Sequence, residues 1–210
     1  MQITVFGATG NVGSRVVAEA VSRGHEVTAV ALDASRFSEM PAEVDSRVGD
    51  ASNVEDVVAL SSGRDVVITA TGPNPGREDE LVAVAEAMLT AAADTGVRLV
   101  VVGGAGSLRV EGGGTVMEEE GYPPHLLPIA AACVDQLAAC RADGSARWSY
   151  LSPARMLAPG ERTGRYRVGG DELVVDADGR SQISMEDLAV ALLDEAEEPK
   201  HLGARFTVAY

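Results

Sequence analysis

Residues 1–21 read MQITVFGATGNVGSRVVAEAV, and this stretch decides the fold. Its apolar residues 1–6 predict a short strand, and the apolar positions of residues 11–23 recur with helical spacing. The glycine-rich turn GATGNVG, residues 7–13, joins the two. The start of a helix offers free backbone N–H groups and partial positive charge to a phosphate. The stretch therefore predicts a turn that holds the pyrophosphate of a dinucleotide.

Each glycine of this turn has a separate physical task. Gly7 permits the tight exit from the strand, Gly10 lets the backbone approach the pyrophosphate, and Gly13 lets the helix pack on the strand. Paired glycines alone would be a weak signal, but this turn directly follows a strand pattern and directly precedes a helix pattern. The residues expected to contact the dinucleotide here are Gly7, Thr9, Gly10, Asn11, Val12 and Gly13.

Strand and helix patterns alternate along the rest of the chain. Further strands are predicted at residues 25–31, 46–48, 65–70, 98–102, 147–151 and 205–210. Helices are predicted at residues 52–60, where Ser52 and Glu55 have the spacing of a capping box, and at residues 78–95, 128–141 and 184–197. This alternation is typical of a parallel sheet with right-handed crossovers. We therefore predict an α/β fold, a Rossmann-like doubly wound parallel sheet, as a single domain over residues 1–210.

Three segments lack a clear period. The Pro- and Gly-rich residues 72–76 predict a loop, and residues 107–127 predict an irregular segment or lid. Residues 152–183 predict strands with a hairpin or loop. We assign residues 107–127 and 152–183 to the substrate side of the domain.

The composition narrows the class of partner. The chain has 210 residues, 46% of them hydrophobic but only 4% aromatic, so its core must be aliphatic. Its formal net charge of −15 repels phosphate backbones and anionic lipids, which argues against nucleic acid and membrane surfaces as partners. We expect a small-molecule substrate, and a monomer or a small homo-oligomer.

The two cysteines, Cys133 and Cys140, are expected to be buried thiols. They are seven residues apart in a predicted helix, which places their Cα atoms roughly 10 Å apart, beyond the reach of a disulfide. The sequence shows no charged-then-apolar leader before the first strand, and no apolar run approaches the length of a membrane span. These features predict a cytoplasmic protein.

The choice between NAD and NADP is expected to depend on the end of the second strand. Asp33 lies where an acid would bond a ribose 2′-hydroxyl and favour NAD. Arg36 could instead pair with a 2′-phosphate and favour NADP, or both could be ordinary loop charges. Asp50, with its neighbour Ala51, is placed to meet the edge of the adenine ring, although Asp50 could equally be a helix cap.

Four motifs together resemble the atypical short-chain dehydrogenase/reductases. They are GATGNVG at residues 7–13, ITATGP at 68–73, VVGGAGSL at 101–108 and YLSPARMLAPGERTG at 150–164. Within that group the chain is similar to the small NAD(P)-binding proteins related to NmrA and to biliverdin reductase B and flavin reductase. The resemblance implies an NAD(P)(H) cofactor lined by Ala70, Thr71, Gly72, Gly103, Gly104 and Ala105, with residues 152–154, including Pro153, at the nicotinamide end.

Two departures from that group affect the predicted chemistry. Leu32 occupies a place where related proteins often carry an arginine for the 2′-phosphate, so NADP binding would depend on Arg36. Ordinary short-chain dehydrogenases also protonate a carbonyl with a Tyr-x-x-x-Lys couple. The chain's tyrosines are residues 122, 150, 166 and 210, and Lys200 is its sole lysine, so no tyrosine has a lysine four residues later. That couple cannot exist here in any register.

Other residues must therefore supply any proton. Ser107, just after the fifth strand, is a candidate for polarising the substrate, with turn capping as the alternative. His125 is the only histidine near the expected substrate cleft and is a candidate for acid–base work, and Tyr122 is a weaker candidate. His25 is expected to be structural, and His201 and the acidic run of residues 118–120 to be solvated. No His and Cys cluster has metal-ligand spacing, so no metal site is predicted.

Three functions are compatible with this set of residues. The first is an NAD(P)H-dependent oxidoreductase that passes hydride to a planar conjugated acceptor, such as a flavin, a quinone or a similar carbonyl. The second is an NmrA-like module that senses the redox state of NAD(P) without turnover. The third is a tailoring enzyme that uses the bound cofactor for epimerisation or another net non-redox step.

Overall fold

The computed structural model describes residues 1–73 and 76–210. Its strands are β1 (Gln2–Phe6), β2 (Glu26–Ala31), β3 (Asp45–Val48), β4 (Val66–Thr69), β5 (Arg98–Val102), β6 (Arg147–Ser152), β7 (Met156–Ala158), β8 (Arg167–Gly169), β9 (Gln182–Ser184) and β10 (Ala204–Ala209). Its α-helices are α1 (Asn11–Ser22), α2 (Val54–Ser61), α3 (Glu80–Thr95), α4 (Leu127–Ala142) and α5 (Met185–Glu197).

The central sheet has eight strands in the order β3-β2-β1-β4-β5-β6-β10-β8. Every neighbouring pair is parallel except β10 and β8, which are antiparallel. Since β2 lies on one side of β1 and β4 on the other, the strand order reverses at β1. In doubly wound sheets the ligand crevice opens at the carboxyl ends of the strands at this reversal. The Rossmann-like fold class is confirmed, with one antiparallel edge strand added.

Helices cover both faces of the sheet, because the strands are apolar on both sides. In β1, Ile3 and Val5 pack in the cluster with residues of α1 and α5. Phe6 points to the opposite face and packs with Val67 and residues of α2, α3 and α4. This alternation is the two-residue period of a strand, and burial on both faces is typical of parallel sheets.

The start of α2 differs from the prediction. Asn53, not Ser52, caps the helix: its side-chain oxygen accepts the backbone N–H groups of Glu55 and Asp56 at 2.9 and 3.2 Å. Ser52 instead donates its backbone N–H and its hydroxyl to Asp50 Oδ1 at 2.8 and 2.7 Å. The capping-box prediction was wrong because asparagine is as good a cap as serine and lies one residue later.

The segments without a clear period contain short elements. Residues 107–127 contain 3₁₀ turns at Val116–Glu118 and Pro124–Leu126. Residues 152–183 contribute β8 to the edge of the sheet, and β7 pairs with β9 in a separate two-stranded sheet. Of the predicted loop at residues 72–76, residues 74 and 75 lie outside the described residues.

The expectation that His201 is solvated was wrong. Its ring stacks on Phe206 with ring centroids 4.3 Å apart, and its Nδ1 lies 2.7 Å from Glu195 Oε2. Both cysteines are buried and unpaired, as expected, and burial raises the pKa of Cys133 to about 11.

Candidate cofactor-binding site

The glycine turn has no room for side chains at two positions. Gly7 has a φ of +74°, and a Cβ built on it would lie 2.6 Å from the carbonyl oxygen of Ala70. A Cβ on Gly13 would lie 2.0 Å from the carbonyl oxygen of Gly7. Real side-chain carbons do not approach backbone oxygens this closely, so glycine is required at both places. The absence of side chains at Gly7 and Gly13 thus lets the turn pack closely against the end of β4 and leaves the backbone of the turn accessible.

A cavity of about 490 Å³ opens at this turn. It lies at the carboxyl ends of β1, β2, β3 and β4, and the first turns of α3 form another wall. The predicted cofactor residues that line it are Gly7, Thr9, Gly10, Leu32, Asp33, Arg36, Asp50, Ala51, Ala70, Thr71 and Gly72. The fold therefore brings residues from four separate parts of the chain to one cavity.

Several lining residues were missed by the sequence reasoning. They are Phe6, Val30, Ala31, Gly49, Ser52, Pro73, Arg77, Glu80, Leu81, Ala83 and Val84. The apolar members among them suit a flat ring such as adenine, whereas Arg77 and Glu80 form an ion pair at the rim. The four of these residues that lie on α3, Glu80, Leu81, Ala83 and Val84, reach the cavity through tertiary packing, and no local motif marks them.

The charged groups of the cavity already have partners within the protein. The Asp33 carboxylate accepts the backbone N–H of Ser35 at 2.9 Å, and that bond lowers the pKa of Asp33. Arg36 donates from Nη2 to the carbonyl oxygen of Thr9 at 3.0 Å. Leu32 also lines the cavity, where its 70% exposed side chain adds apolar surface next to Asp33. Arg36 is thus held across the glycine turn, while Asp33 caps the 3₁₀ turn that follows β2.

Other predicted cofactor residues lie outside this cavity. Asn11, Val12 and Gly13 begin α1, and Gly13 packs against the turn itself. A Cβ on Gly103 would lie 2.0 Å from the Tyr150 ring, and one on Gly104 would lie 2.9 Å from Cys133 Sγ. The backbone N–H of Gly103 donates to the Leu151 carbonyl at 2.9 Å. Gly103, Gly104, Ala105 and Pro153 therefore continue the same sheet edge beyond β4, and their contact with the cofactor stays a prediction.

Three of the four tyrosines donate hydrogen bonds to groups other than the lysine. The Tyr150 hydroxyl is buried, lies 3.0 Å from the Cys133 carbonyl oxygen and 2.9 Å from Gln136 Oε1, and its burial raises the pKa of Tyr150 well above the ordinary value. Tyr166 donates to Asp194, and Tyr210 donates to Asp187 and lies beside Ser184. Lys200 pairs with Glu198 at 3.4 Å.

The three predicted proton donors lie apart from the cavity at the glycine turn. Ser107 Oγ accepts a hydrogen bond from Arg205 Nη1 at 2.8 Å, and the Arg205 side chain is only 3% exposed. Tyr122 is half-buried, and burial raises the pKa of its hydroxyl. His125 is exposed in the 3₁₀ turn that precedes α4. The structure does not bring these three side chains into one cluster, so their roles stay predictions.

Comparisons with known proteins fit this geometry. The model of the NAD(P)H-binding family matches residues 7–199. The chain belongs to that family. It is 38% identical over 212 residues to the uncharacterized protein YwnB of Bacillus subtilis, covering 99% of this chain and 98% of YwnB.

Solved structures give the same fold over the whole chain. One, named "putative exported protein", is from Burkholderia pseudomallei, with 40% identity, a TM-score of 0.90, and 100% of both chains covered. Another, named "putative NADH-flavin reductase", is from Streptococcus pneumoniae, with 31% identity, a TM-score of 0.89, and 100% of this chain and 99% of the other covered. The resemblance to the atypical short-chain dehydrogenase/reductases is confirmed.

The cofactor of this family member is NAD(P)(H), and the cavity fits it. The bare glycine turn suits the pyrophosphate, and the apolar wall suits a base. Among residues 1–73 and 76–210, no helix combines the length and the hydropathy needed to cross a bilayer. The same part of the chain holds no group of three or more His, Cys, Asp or Glu side chains arranged to ligate a metal.

Proposed function

We propose that the chain is an NAD(P)H-dependent oxidoreductase whose acceptor is a planar conjugated molecule, such as a flavin, a quinone or a similar carbonyl. The observation that carries the proposal is the cavity that begins at the bare glycine turn and is lined by β-strand ends and α3. When bound, the cofactor supplies the hydride. The flavin reductase name of the 31% identical Streptococcus protein supports this class of acceptor.

A conjugated acceptor suits a site without a tyrosine–lysine couple. Reduction of such an acceptor needs a hydride donor held in the correct orientation, and the proton can come from water or a weak acid. The Tyr150 hydroxyl is buried against α4, and Lys200 pairs with Glu198 after α5. Both groups are thus engaged with other residues, and the two do not form a couple that could protonate a ketone.

Ser107 is the proposed polarising group for the acceptor. Its Oγ accepts a hydrogen bond from the Arg205 guanidinium, so its own O–H proton remains free to be donated. A hydroxyl that accepts from a cation is also a better donor. Tyr122, which burial keeps protonated, and the exposed His125 are the other candidates.

The proposed function is tested by measuring oxidation of NADH and NADPH against flavins and quinones, alongside direct titration of both cofactors. We expect turnover with at least one acceptor, and a roughly tenfold lower kcat for Ser107→Ala. Ser145→Ala, which changes a serine bonded to Asp143 in an exposed turn, is the matched control and should leave kcat unchanged. Unchanged turnover in Ser107→Ala, Tyr122→Phe or His125→Ala would remove that residue from the mechanism.

The same experiment separates the competing functions. Cofactor binding without oxidation on the whole panel would favour the NmrA-like sensor. Turnover of a sugar-like substrate with no net change in the cofactor would favour epimerisation instead.

A further inference from the structure

The neighbouring strands β5 and β6 end side by side at the carboxyl edge of the sheet, at Val102 and Ser152. The backbone N–H of Gly103 donates to the carbonyl of Leu151 and holds the two strand ends together. An ion pair joins the two departing segments again, since Arg155 Nη2 lies 2.5 Å from Glu119 Oε2. This pair thus joins the segments that follow β5 and β6, and Arg155 lies two residues after Pro153, which the resemblance places at the nicotinamide end.

Both members of the ion pair are carried on backbone that is fixed. The backbone N–H of Arg155 donates to Ser181 Oγ at 3.2 Å, and its chain neighbour Ala154 is buried. On the other segment, Met117 N–H donates to the Gly106 carbonyl at 3.0 Å, two residues before Glu119. The two side chains are therefore presented to each other by the fold.

The expectation that residues 118–120 form a solvated acidic face was wrong for one of the three, Glu119. Glu118 accepts the backbone N–H and the hydroxyl of Thr115, both at 2.8 Å. Glu119 pairs with Arg155 and is partly buried, whereas Glu118 and Glu120 are exposed and form no ion pair among the described residues. The run thus supplies one carboxylate to the single arginine of the SPARM stretch, residues 152–156.

We propose that Arg155 is an anion-binding residue of the acceptor site, and that Glu119 occupies it until the phosphate or carboxylate of the substrate replaces it. This inference rests on the proposed function and adds to it that the conjugated acceptor carries an oxyanion. The Arg155 and Glu119 side chains are 42% and 35% exposed, so exchange of partners needs no opening of the core. An exposed pair contributes little to stability, and an arginine binds phosphate or carboxylate in the same bidentate way.

The overall charge makes such a residue necessary for an anionic acceptor. A chain with a net charge of −15 repels anions at long range, so an anionic ligand needs a local cation at its binding place. Arg36 and Arg77 line the cavity at the glycine turn, whereas Arg155 lies on the edge beyond β6. Arg155 therefore serves the acceptor rather than the adenine half of the cofactor.

Flavin mononucleotide and riboflavin provide a matched pair of probes, because they share the ring and differ by one phosphate. Their affinities are measured by quenching of flavin fluorescence, with oxidised cofactor bound so that no turnover occurs. We expect the wild type to bind the mononucleotide about tenfold more tightly than riboflavin. Arg155→Ala should bind both equally, with riboflavin affinity unchanged, and Arg155→Lys should keep part of the preference.

Glu119→Gln should strengthen binding of the mononucleotide because it removes the competing carboxylate. Glu120→Gln removes the same charge from the same run without touching Arg155, and it should leave the preference at the wild-type value. Equal binding of both flavins by the wild type, binding of neither, or a preference that survives Arg155→Ala would overturn the proposal. If the wild type prefers the mononucleotide through Arg155 but transfers no hydride, the anion site is supported and the proposed reductase function is rejected. If hydride transfer occurs but the preference is absent, the reductase function is supported and the anion site is rejected.

Discussion

The guanidinium of Arg36 donates to the carbonyl oxygen of Thr9 at 3.0 Å, across the turn that is predicted to hold the pyrophosphate. The residue follows β2, where the ribose of the adenine half is expected, and Leu32 offers no cation beside it. Asp33 meanwhile accepts the N–H of Ser35. Arg36 is therefore the residue of this corner that can pair with a 2′-phosphate.

We predict that Arg36→Ala weakens NADPH binding about tenfold and NADH binding less than about twofold, since only NADPH carries the phosphate. Calorimetric titration of both cofactors measures the difference. Arg47→Ala removes another arginine, paired with Asp45 on β3 away from the cavity, and should change neither affinity. Equal losses for the two cofactors in Arg36→Ala would refute this assignment.

The glycine turn gives a second prediction. In Gly13→Ala the new methyl group would lie 2.0 Å from the Gly7 carbonyl oxygen, so α1 must shift away from the turn. We expect a loss of about 1–3 kcal/mol of stability and of most cofactor affinity. Gly144→Ala is the control, because Gly144 lies in an exposed turn outside the cavity and has nothing within 4 Å of a new Cβ. Denaturant unfolding and cofactor titration of both variants test this, and equal behaviour of the two would contradict it.

Tyr150 is predicted to be structural despite its place at the end of a strand beside the site. Its hydroxyl lies near Gln136 Oε1 and the Cys133 carbonyl, and its ring fills the space beside Gly103. Tyr150→Phe should lower the free energy of unfolding by about 1–3 kcal/mol, because buried polar partners lose their bond. It should leave kcat unchanged. A lower kcat with unchanged stability would show that Tyr150 acts in the reaction.

Acid should weaken the attachment of the 159–166 loop to α5. Burial pushes the pKa of Asp187 up, but hydrogen bonds from Thr163, Gly164 and Tyr210 outweigh it, and the net pKa is lowered. A lowered folded-state pKa stabilises the fold above the unfolded value, near 3.9, and this contribution is lost as the pH falls through the folded value.

The free energy of unfolding should therefore fall between pH 7 and about pH 3, and it should fall less in Asp187→Asn. Urea unfolding at the two pH values gives the comparison. Asp178→Asn changes an exposed carboxylate and should keep the wild-type pH dependence. An Asp187→Asn variant with the full wild-type loss would exclude Asp187 as the group that titrates.

Local patterns were sufficient for the parts of the fold that depend on neighbours in sequence. The first strand, the glycine turn and α1 were predicted within a residue or two, because each is set by residues next to it. The same holds for the start of α5, where Ser184 caps the helix by accepting the N–H of Asp187 at 2.9 Å. The three-residue strands β7, β8 and β9 are too short to show a period, and their pairing depends on distant partners.

In the candidate site, too, some residues are marked by local sequence signals and others depend on distant parts of the chain. Asp50 was found because it follows the predicted third strand, and Thr71 because it lies in the ITATGP motif of the family resemblance. Leu81 and Val84 reach the cavity only because α3 packs against α2 and α4, and Arg77 lies just before that helix, so no local signal marks them. Glu119 was taken for a solvated charge because its partner, Arg155, lies on a different segment.

The central claim is that the cavity at the glycine turn holds NAD(P)H for hydride transfer to a conjugated acceptor. The most direct measurement mixes the protein with reduced cofactor and a flavin or quinone, and quantifies oxidised cofactor and reduced acceptor together. The account predicts that both form in equal amounts, and that Gly13→Ala abolishes the reaction while Gly144→Ala does not. Tight cofactor binding with no oxidation by any acceptor would contradict it.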